Sequence, residues 1–169
     1  MNTLKFITTG LSALLLASCG YHLGGVKPEP LKDKDTFCVE VFENSSLHPS
    51  AGVLMTTALA NALQSDGTYR MAPRGKADFI VKGEIERITR ESLITNTEDT
   101  YVSTQIAVCV TVGYQVIDNK TGKVLCSGQE VENASFFNED GSKESATESA
   151  LSYATRRIAD DITLHLVTK

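Results

Sequence analysis

The chain has 169 residues, with 16 Lys and Arg against 21 Asp and Glu, a formal net charge of −5. An acidic chain of this size makes a poor polyanion binder, so a nucleic-acid role is excluded. With 41% hydrophobic and 22% charged residues it is long and apolar enough to bury one core, and disorder is excluded too.

Residues 1–18 read as a secretory signal peptide. Lys5 supplies a positive charge, Leu11 to Ala17 an apolar stretch too short to span a bilayer, and Leu16-Ala17-Ser18-Cys19 has the apolar, small, small, Cys order of a bacterial lipobox. Cleavage before Cys19 and acylation there, palmitate included, are expected. No second long apolar stretch follows, so membrane attachment rests on the lipid, and several acyl chains on one cysteine anchor durably where one is marginal. Gly20 follows the Cys where an Asp would be associated with inner-membrane retention, which favours sorting to the outer membrane.

Residues 19–35 form the lipidated N-terminus and an extended tether, with Gly24, Gly25, Pro28 and Pro30 arguing against a helix. A single domain is expected over 36–169. Thr36 to Phe42 reads as a strand with Phe37, Val39 and Val41 on one face and Cys38, Glu40 and Phe42 on the other. Glu43 to Pro49 is a polar loop. A helix follows from about Ser50 to Gln64, capped by Ser50 or Ser46, with Met55, Leu59 and Ala62 in its stripe and Asp66-Gly67 at its end. Ala77 to Arg90 is a second strand, and the polar run Glu91 to Thr100 a connection. Tyr101 to Ile117 carries the clearest alternation in the chain, from Val102 to Val116. Asp118-Asn119-Lys120-Thr121-Gly122 is a hairpin turn with Gly122 suited to positive φ. Lys123 to Val131 completes the hairpin, Phe136 and Phe137 fall in a loop, and Asn138 to Gly141 is a turn. The last helix, from about Ser142 to Val167, has the apolar stripe Leu151, Ala154, Ile158, Ile162 and Leu166, with Ala and Ser near Ala150 permitting close approach to a sheet.

The expected fold class is therefore α+β, two helices packed on one face of a four-stranded, mostly antiparallel sheet. The other sheet face, with Ser103, Gln105, Thr111 and Gln115, tolerates water or a polar cavity in a partner. An unsheltered strand edge also opens a route to a homodimer when the body is expressed alone.

No catalytic pattern emerges. His22, His48 and His165 fall in the tether, a loop and the last helix, without the spacing of a zinc site or triad, and no glycine loop suits a phosphate. Glu84, Glu86, Glu130 and Glu132 suit a solvated face. A non-enzyme without metal or cofactor is expected. Cys38, Cys109 and Cys126 leave an odd thiol in an oxidising compartment. Small hydrophobic packing is their simplest role, with a Cys38–Cys109 bridge open if their strands are neighbours.

The run Cys19-Gly20-Tyr21-His22-Leu23-Gly24-Gly25 resembles the mature start of the LPS-assembly lipoprotein family LptE. Val39-Glu40-Val41-Phe42-Glu43-Asn44 resembles its first strand, and Ala77-Asp78-Phe79-Ile80-Val81-Lys82-Gly83 its Ala-Asp strand ending in Gly. The resemblance implies a non-catalytic, lipid-anchored protein on the periplasmic side of the outer membrane. It would sit inside the lumen of the β-barrel LPS translocon subunit, plug it, assist its assembly and contact lipopolysaccharide during export. Arg87, Arg90, Lys120 and Lys123 are the candidate LPS contacts, suited by charge to phosphate and carboxylate. Two other readings stand beside it: a free-standing envelope lipoprotein that binds a small ligand or a periplasmic protein, and a structural lipoprotein forming rings.

Overall fold

The computed structural model describes residues 27–95, 103–137 and 143–168. Cys19, His22, the signal peptide, most of the tether and the Asn138 to Gly141 turn lie outside the described residues. Six strands and two helices follow a 3-10 turn at Glu29–Leu31: β1 (Thr36–Val39), β2 (Glu43–Asn44), α1 (Ala51–Asp66), β3 (Arg70–Met71), β4 (Phe79–Thr95), β5 (Ser103–Asp118), β6 (Val124–Phe137) and α2 (Lys143–Val167).

The sheet corrects the sequence expectation. It has six strands, not four, and it is mixed. The order is β3-β1-β4-β5-β6, with β2 also on β4. β1 runs parallel to both β3 and β4, and β2 parallel to β4, while β4–β5 and β5–β6 are antiparallel. The two extra strands are two residues each, too short to leave a period-two signature, and only their pairing defines them. The two helices do pack on the sheet.

β5 is the central ladder. Ile106, Val108, Val110, Val112, Tyr114 and Val116 are all buried on the helix side. β4 pairs with β5 from Phe79–Asp118 to Thr95–Ser103, and β6 pairs with it out to Phe137. Both partners therefore run further than their own alternation indicates. Residues 91–95 are strand rather than connection, and Phe136 and Phe137 are strand rather than loop. Backbone pairing along a long neighbour outweighs weak local pattern. Phe136 then packs edge-on against Tyr153 of α2, ring centroids 6.1 Å apart.

The helices seal one face. α1 buries Ala51, Gly52, Met55, Leu59 and Leu63, and ends at Gly67, whose φ of +80° caps it in the left-handed region. Ser50 occupies the N-cap position without a side-chain hydrogen bond. α2 buries all five residues of its expected stripe, with Ala146, Ala150 and Ala159 beside them. Each large side chain so buried contributes roughly 1.5–3 kcal/mol. Tyr69 is buried between the layers, edge-on to Phe79 at 5.1 Å, and its hydroxyl donates to the Leu166 carbonyl at 2.7 Å near the end of α2.

A bulge inverts part of the first expected strand. Val39 pairs with Val81 but Glu43 with Glu84, so residues 40–42 hold one residue more than β4 does opposite them. Val41 consequently turns out to solvent, 70% exposed, and Phe42 turns in, 2% exposed. The Phe42 N–H donates to Thr56 Oγ1 at 2.9 Å, tying the bulge to α1. Its ring lies over Gly83, where an added Cβ would come within 2.0 Å of Phe42 Cε1. Gly83→Ala is expected to destabilise by about 1–3 kcal/mol through overpacking, whereas Gly75→Ala, whose Cβ would meet nothing within 4 Å, should be near neutral. Urea unfolding of the two variants checks this. Equal midpoints would refute the close approach of Phe42.

Candidate functional site

The face of β4, β5 and β6 away from the helices carries no covering element among the described residues. Along β5 it presents Gln105, Ala107, Cys109, Thr111, Gly113, Gln115 and Ile117, all intermediate or exposed. Gly113 makes a shallow spot in this face. Glu86, beside the β4 irregularity between Ile85 and Arg87, fills it: a Cβ on Gly113 would meet Glu86 Oε1 at 2.5 Å. The Glu86 carboxylate then accepts from Gln129 Nε2 at 2.7 Å, so one side chain spans from β4 across β5 to β6. An open trough of about 410 Å³ lies here, lined by Glu43, Lys82, Glu84, Glu86, Gln115 and Ser127 among others. Ser45 donates to Glu84, and Lys82 pairs with Glu40 at 3.3 Å. The trough is polar, shallow and charged with both signs.

The four candidate LPS contacts fall into two groups. Lys120 and Lys123 flank the β5–β6 turn, next to Asp118. Arg87 and Arg90 pair with Thr111 and Val108, seven and ten residues back along β5. At about 3.4 Å per residue, Arg90 lies roughly 30 Å from that turn. Directly paired residues share a face, so Arg87 lies on the bare face and Arg90 on the helix side. All four are exposed. The fold brings together only the two lysines.

The end of the sheet beneath those lysines is held by a polar knot. Asp118 is buried, paired with Lys34, and accepts the N–H groups of Lys120 at 2.9 Å and Thr121 at 2.8 Å. The Lys34 ammonium, together with these backbone and hydroxyl donors, holds its carboxyl well below the usual carboxylate range. Asn119 Nδ2 donates to the carbonyls of Arg74 at 2.6 Å and Ala77 at 2.8 Å, which stitches the 74–77 turn to the hairpin. Asp78 accepts from the hydroxyl of Thr36 at 2.8 Å and from the N–H groups of Thr36 and Asp35. The Thr36 hydroxyl leads in lowering its pKa. The sequence marks Asp118 and Asn119 as turn formers. Their reach to residues 34, 74 and 77 has no local signature.

The remaining candidates are dispersed. His48 sits in the loop before α1, where its carbonyl accepts from Asn44 Nδ2 at 2.7 Å. His165 Nδ1 is 3.0 Å from Glu130 Oε1 and 3.4 Å from the Tyr114 hydroxyl. Burial, then the Glu130 charge, raise that phenol to about 12. Glu130 therefore points to the helix side of β6, not to an open polar face. Among the described residues no group of three or more His, Cys, Asp or Glu is placed to hold a metal, and no helix is long and apolar enough to cross a membrane. Cys38, Cys109 and Cys126 are free and half-buried. β4 lies between the strands of Cys38 and Cys109, which removes the neighbour relation that a bridge between them requires. Burial pushes the Cys38 and Cys126 thiols up.

No family model matches the chain, and no curated protein does. Solved structures do share its fold. A homologue of a neuraminyllactose-binding hemagglutinin from Helicobacter pylori matches with a TM-score of 0.54 at 10% identity, over 85% of this chain and 89% of that one. Protein XCC0632 from Xanthomonas campestris gives 0.52 at 10%, over 84% and 90%. A minor lipoprotein from Acinetobacter baumannii gives 0.51 at 13%, over 79% and 93%. The chain thus has a small helix-on-sheet fold found in bacterial lipoproteins, and at such identities the likeness is one of fold.

Asp118 gives the site a pH signature. Its folded pKa lies below its unfolded one, so the unfolded chain binds more protons in between and stability rises with pH there. The contribution is complete above about pH 5 and is lost as pH falls through the ordinary carboxylate range of about 4 and below. Asp118→Asn should therefore lower the urea midpoint at pH 7 and at pH 5.5, and the gap to the unaltered protein should narrow at pH 3. A gap constant across the three pH values would contradict the Lys34–Asp118 assignment.

Proposed function

We propose that this chain is an outer-membrane lipoprotein of the LPS-assembly type, anchored through acyl groups on Cys19. It sits in the lumen of the β-barrel translocon subunit, where it plugs the barrel, helps it assemble and contacts lipopolysaccharide without catalysing a reaction. The observation that carries this reading is the uncovered face of β4–β6, mostly polar but with Val131 and Phe137 exposed on it, opposite a core already sealed by α1 and α2. Barrel lumens are polar. A body that completes its own core can be enclosed there while offering side chains such as Gln105, Thr111, Gln115, Ser127 and Gln129 to the wall. The lipobox at Cys19, the Cys-Gly-Tyr start and a fold shared with bacterial lipoproteins support the same reading.

LPS contact in this scheme uses the lysine pair and two separate arginines rather than one patch. Lys120 and Lys123 lie together at the β5–β6 turn, while Arg87 lies mid-strand on the bare face and Arg90 three residues further on, on the helix side. A free-standing envelope lipoprotein is the second reading, favoured by the trough around Gly113, which offers a mixed-charge surface to a small polar ligand or a periplasmic protein.

Affinity purification of the lipidated chain from detergent-solubilised outer membrane should recover one large β-barrel at one-to-one ratio. Recovery of the lipoprotein alone, with the barrel intact in the same extract, would sink the translocon reading and leave the free-standing one. In the recovered complex, Arg90→Ala and Lys120→Ala should each weaken LPS retention about tenfold, the worth of one charge-assisted hydrogen bond. No change in either variant would remove these residues from the contact.

A further inference from the structure

The described chain emerges at the same end of the sheet as its most exposed basic turns. Lys27 is held there by the Lys34 carbonyl at 2.7 Å and Asp35 at 2.6 Å, and its ammonium lies 5.4 Å from the Tyr69 ring centroid. Lys34 in turn pairs with Asp118 at the base of the β5–β6 turn. The 74–77 turn is stitched to that hairpin by Asn119. Arg70 pairs with Thr36 at the start of β1 and so belongs to the same end. One contiguous surface therefore presents Arg70, Arg74, Lys76, Lys120 and Lys123, all exposed.

The acids at this end are largely engaged. Asp118 is buried against Lys34, Asp35 is paired with Lys27 and Glu29 with Lys32, and Asp78 accepts from Thr36 with Lys120 3.9 Å away; Arg74 pairs with Glu40 at 2.7 Å, and Asp33 stays exposed, so the cationic excess of this end rests on Arg70, Lys76 and Lys123. Away from this pole the balance reverses, with Glu84, Glu86, Glu130, Glu132, Glu144 and Glu148 on the middle and far parts of the sheet and on α2. A net charge of −5 thus hides a molecule with one basic end. Screening over about 8 Å at physiological salt lets that end act independently of distant acids.

We infer that this basic pole is a membrane-docking surface, seated on the anionic phosphate headgroups of the leaflet that holds the chain's own acyl groups. The inference rests on the lipid-anchor part of the proposed function and not on the barrel or LPS. Eight Cα steps separate Cys19 from Lys27, a reach of at most about 28 Å. The anchor therefore keeps this end of the domain near the bilayer, where each Lys or Arg gains attraction within a Debye length of an anionic surface. Docking stands the strands away from the membrane. It leaves the β4–β5 end, some 50 Å off along β5, as the part presented to the periplasm or to a lumen.

The full lipidated chain, with acylation of Cys19 checked by mass spectrometry, is placed on phosphatidylcholine vesicles with or without 30 mol% phosphatidylglycerol. Lysines are then labelled with an amine-acylating reagent. Lys76, Lys120 and Lys123 should react several-fold more slowly on the anionic vesicles, relative to Lys143 at the start of α2, and 1 M salt should abolish the difference. Equal ratios on both vesicles, or protection of Lys143 instead, would overturn the inference. The doubly altered chain Lys76→Glu, Lys123→Glu changes two exposed side chains and should lose the protection of Lys120. Persistence of that protection would also overturn it. If Cys19 proves unacylated, the anchor reading fails separately. Salt-sensitive sedimentation of the chain with the anionic vesicles then supports the pole, and absence of sedimentation overturns it.

Discussion

The antiparallel ladder that pairs β5 with β4 on one side and β6 on the other decides which face of the sheet every residue takes. Side chains alternate with a period of two, so a slip of one residue would turn Val108, Val110 and Val112 to water and bring Cys109 and Thr111 under the helices. The helices pack on each other and on this one face of the sheet. The stripe of α2 meets β5 and β6, and α1 meets β1 to β4 at the shorter end of the sheet. The register also places glycines where rings must pass. Gly83 and Gly128 flank Tyr114 in the same row, and a Cβ on either would strike the ring of Phe42 or of Tyr114. Helix cover, core aromatics and bare polar face all follow from that one alignment.

Legibility from sequence tracked how local each determinant is. β5 is plain because its alternation is unbroken, α2 because its stripe repeats over about four turns from Leu151 to Leu166, and the hairpin because Asp118 to Gly122 has turn chemistry, with Gly122 at φ +70°. β3 was invisible: Arg70–Met71 is a strand only because β1 lies beside it. The ends of β4 and β6 were lost because Glu91 or Asn133 looks like loop when its partner strand is unknown. Phe42 was assigned to the wrong face since period-two reasoning carries no information about a bulge. The candidate cations were found individually. Their placement, two lysines at one turn and two arginines on opposite faces of β4, needed the register, and the Asn119 stitch needed the tertiary fold.

The open edge of β6 shows how the sheet avoids pairing at random. Fourteen residues of strand have β5 on one side and no strand on the other among those described. Glu130 and Glu132 sit on the helix-facing side of that strand, where a plain apolar strand would place hydrophobes. Inward charges on an edge oppose pairing with a second apolar strand. His165 partners Glu130 from α2, which lets the charge stay there while Tyr114 and Gly128 pack beneath it. The homodimer route opened by a bare edge is thus narrowed by the same residues that finish the core at its rim.

The fold separates a closed core, an uncovered strand face and a charged end along one sheet. The core lies between the helices and the Val-rich side of β5. The uncovered surface is the opposite face, where Glu86 crosses Gly113 to accept from Gln129. The charged end is where Lys27, Lys34 and Asp118 are linked and the 74–77 and 118–123 turns meet. Separation along the strands has a cost: Asp118 and Asp78 must be desolvated to hold two turns and the entering chain together. Those carboxylates are satisfied by Lys34, Thr36 and backbone donors rather than by Lys76 or Lys123. The knot still draws on the outer turns, since Lys120 lies 3.9 Å from Asp78 and Arg74 pairs with Glu40 at 2.7 Å, and of the lysines on those turns Lys76 and Lys123 form no ion pair with an acid among the described residues.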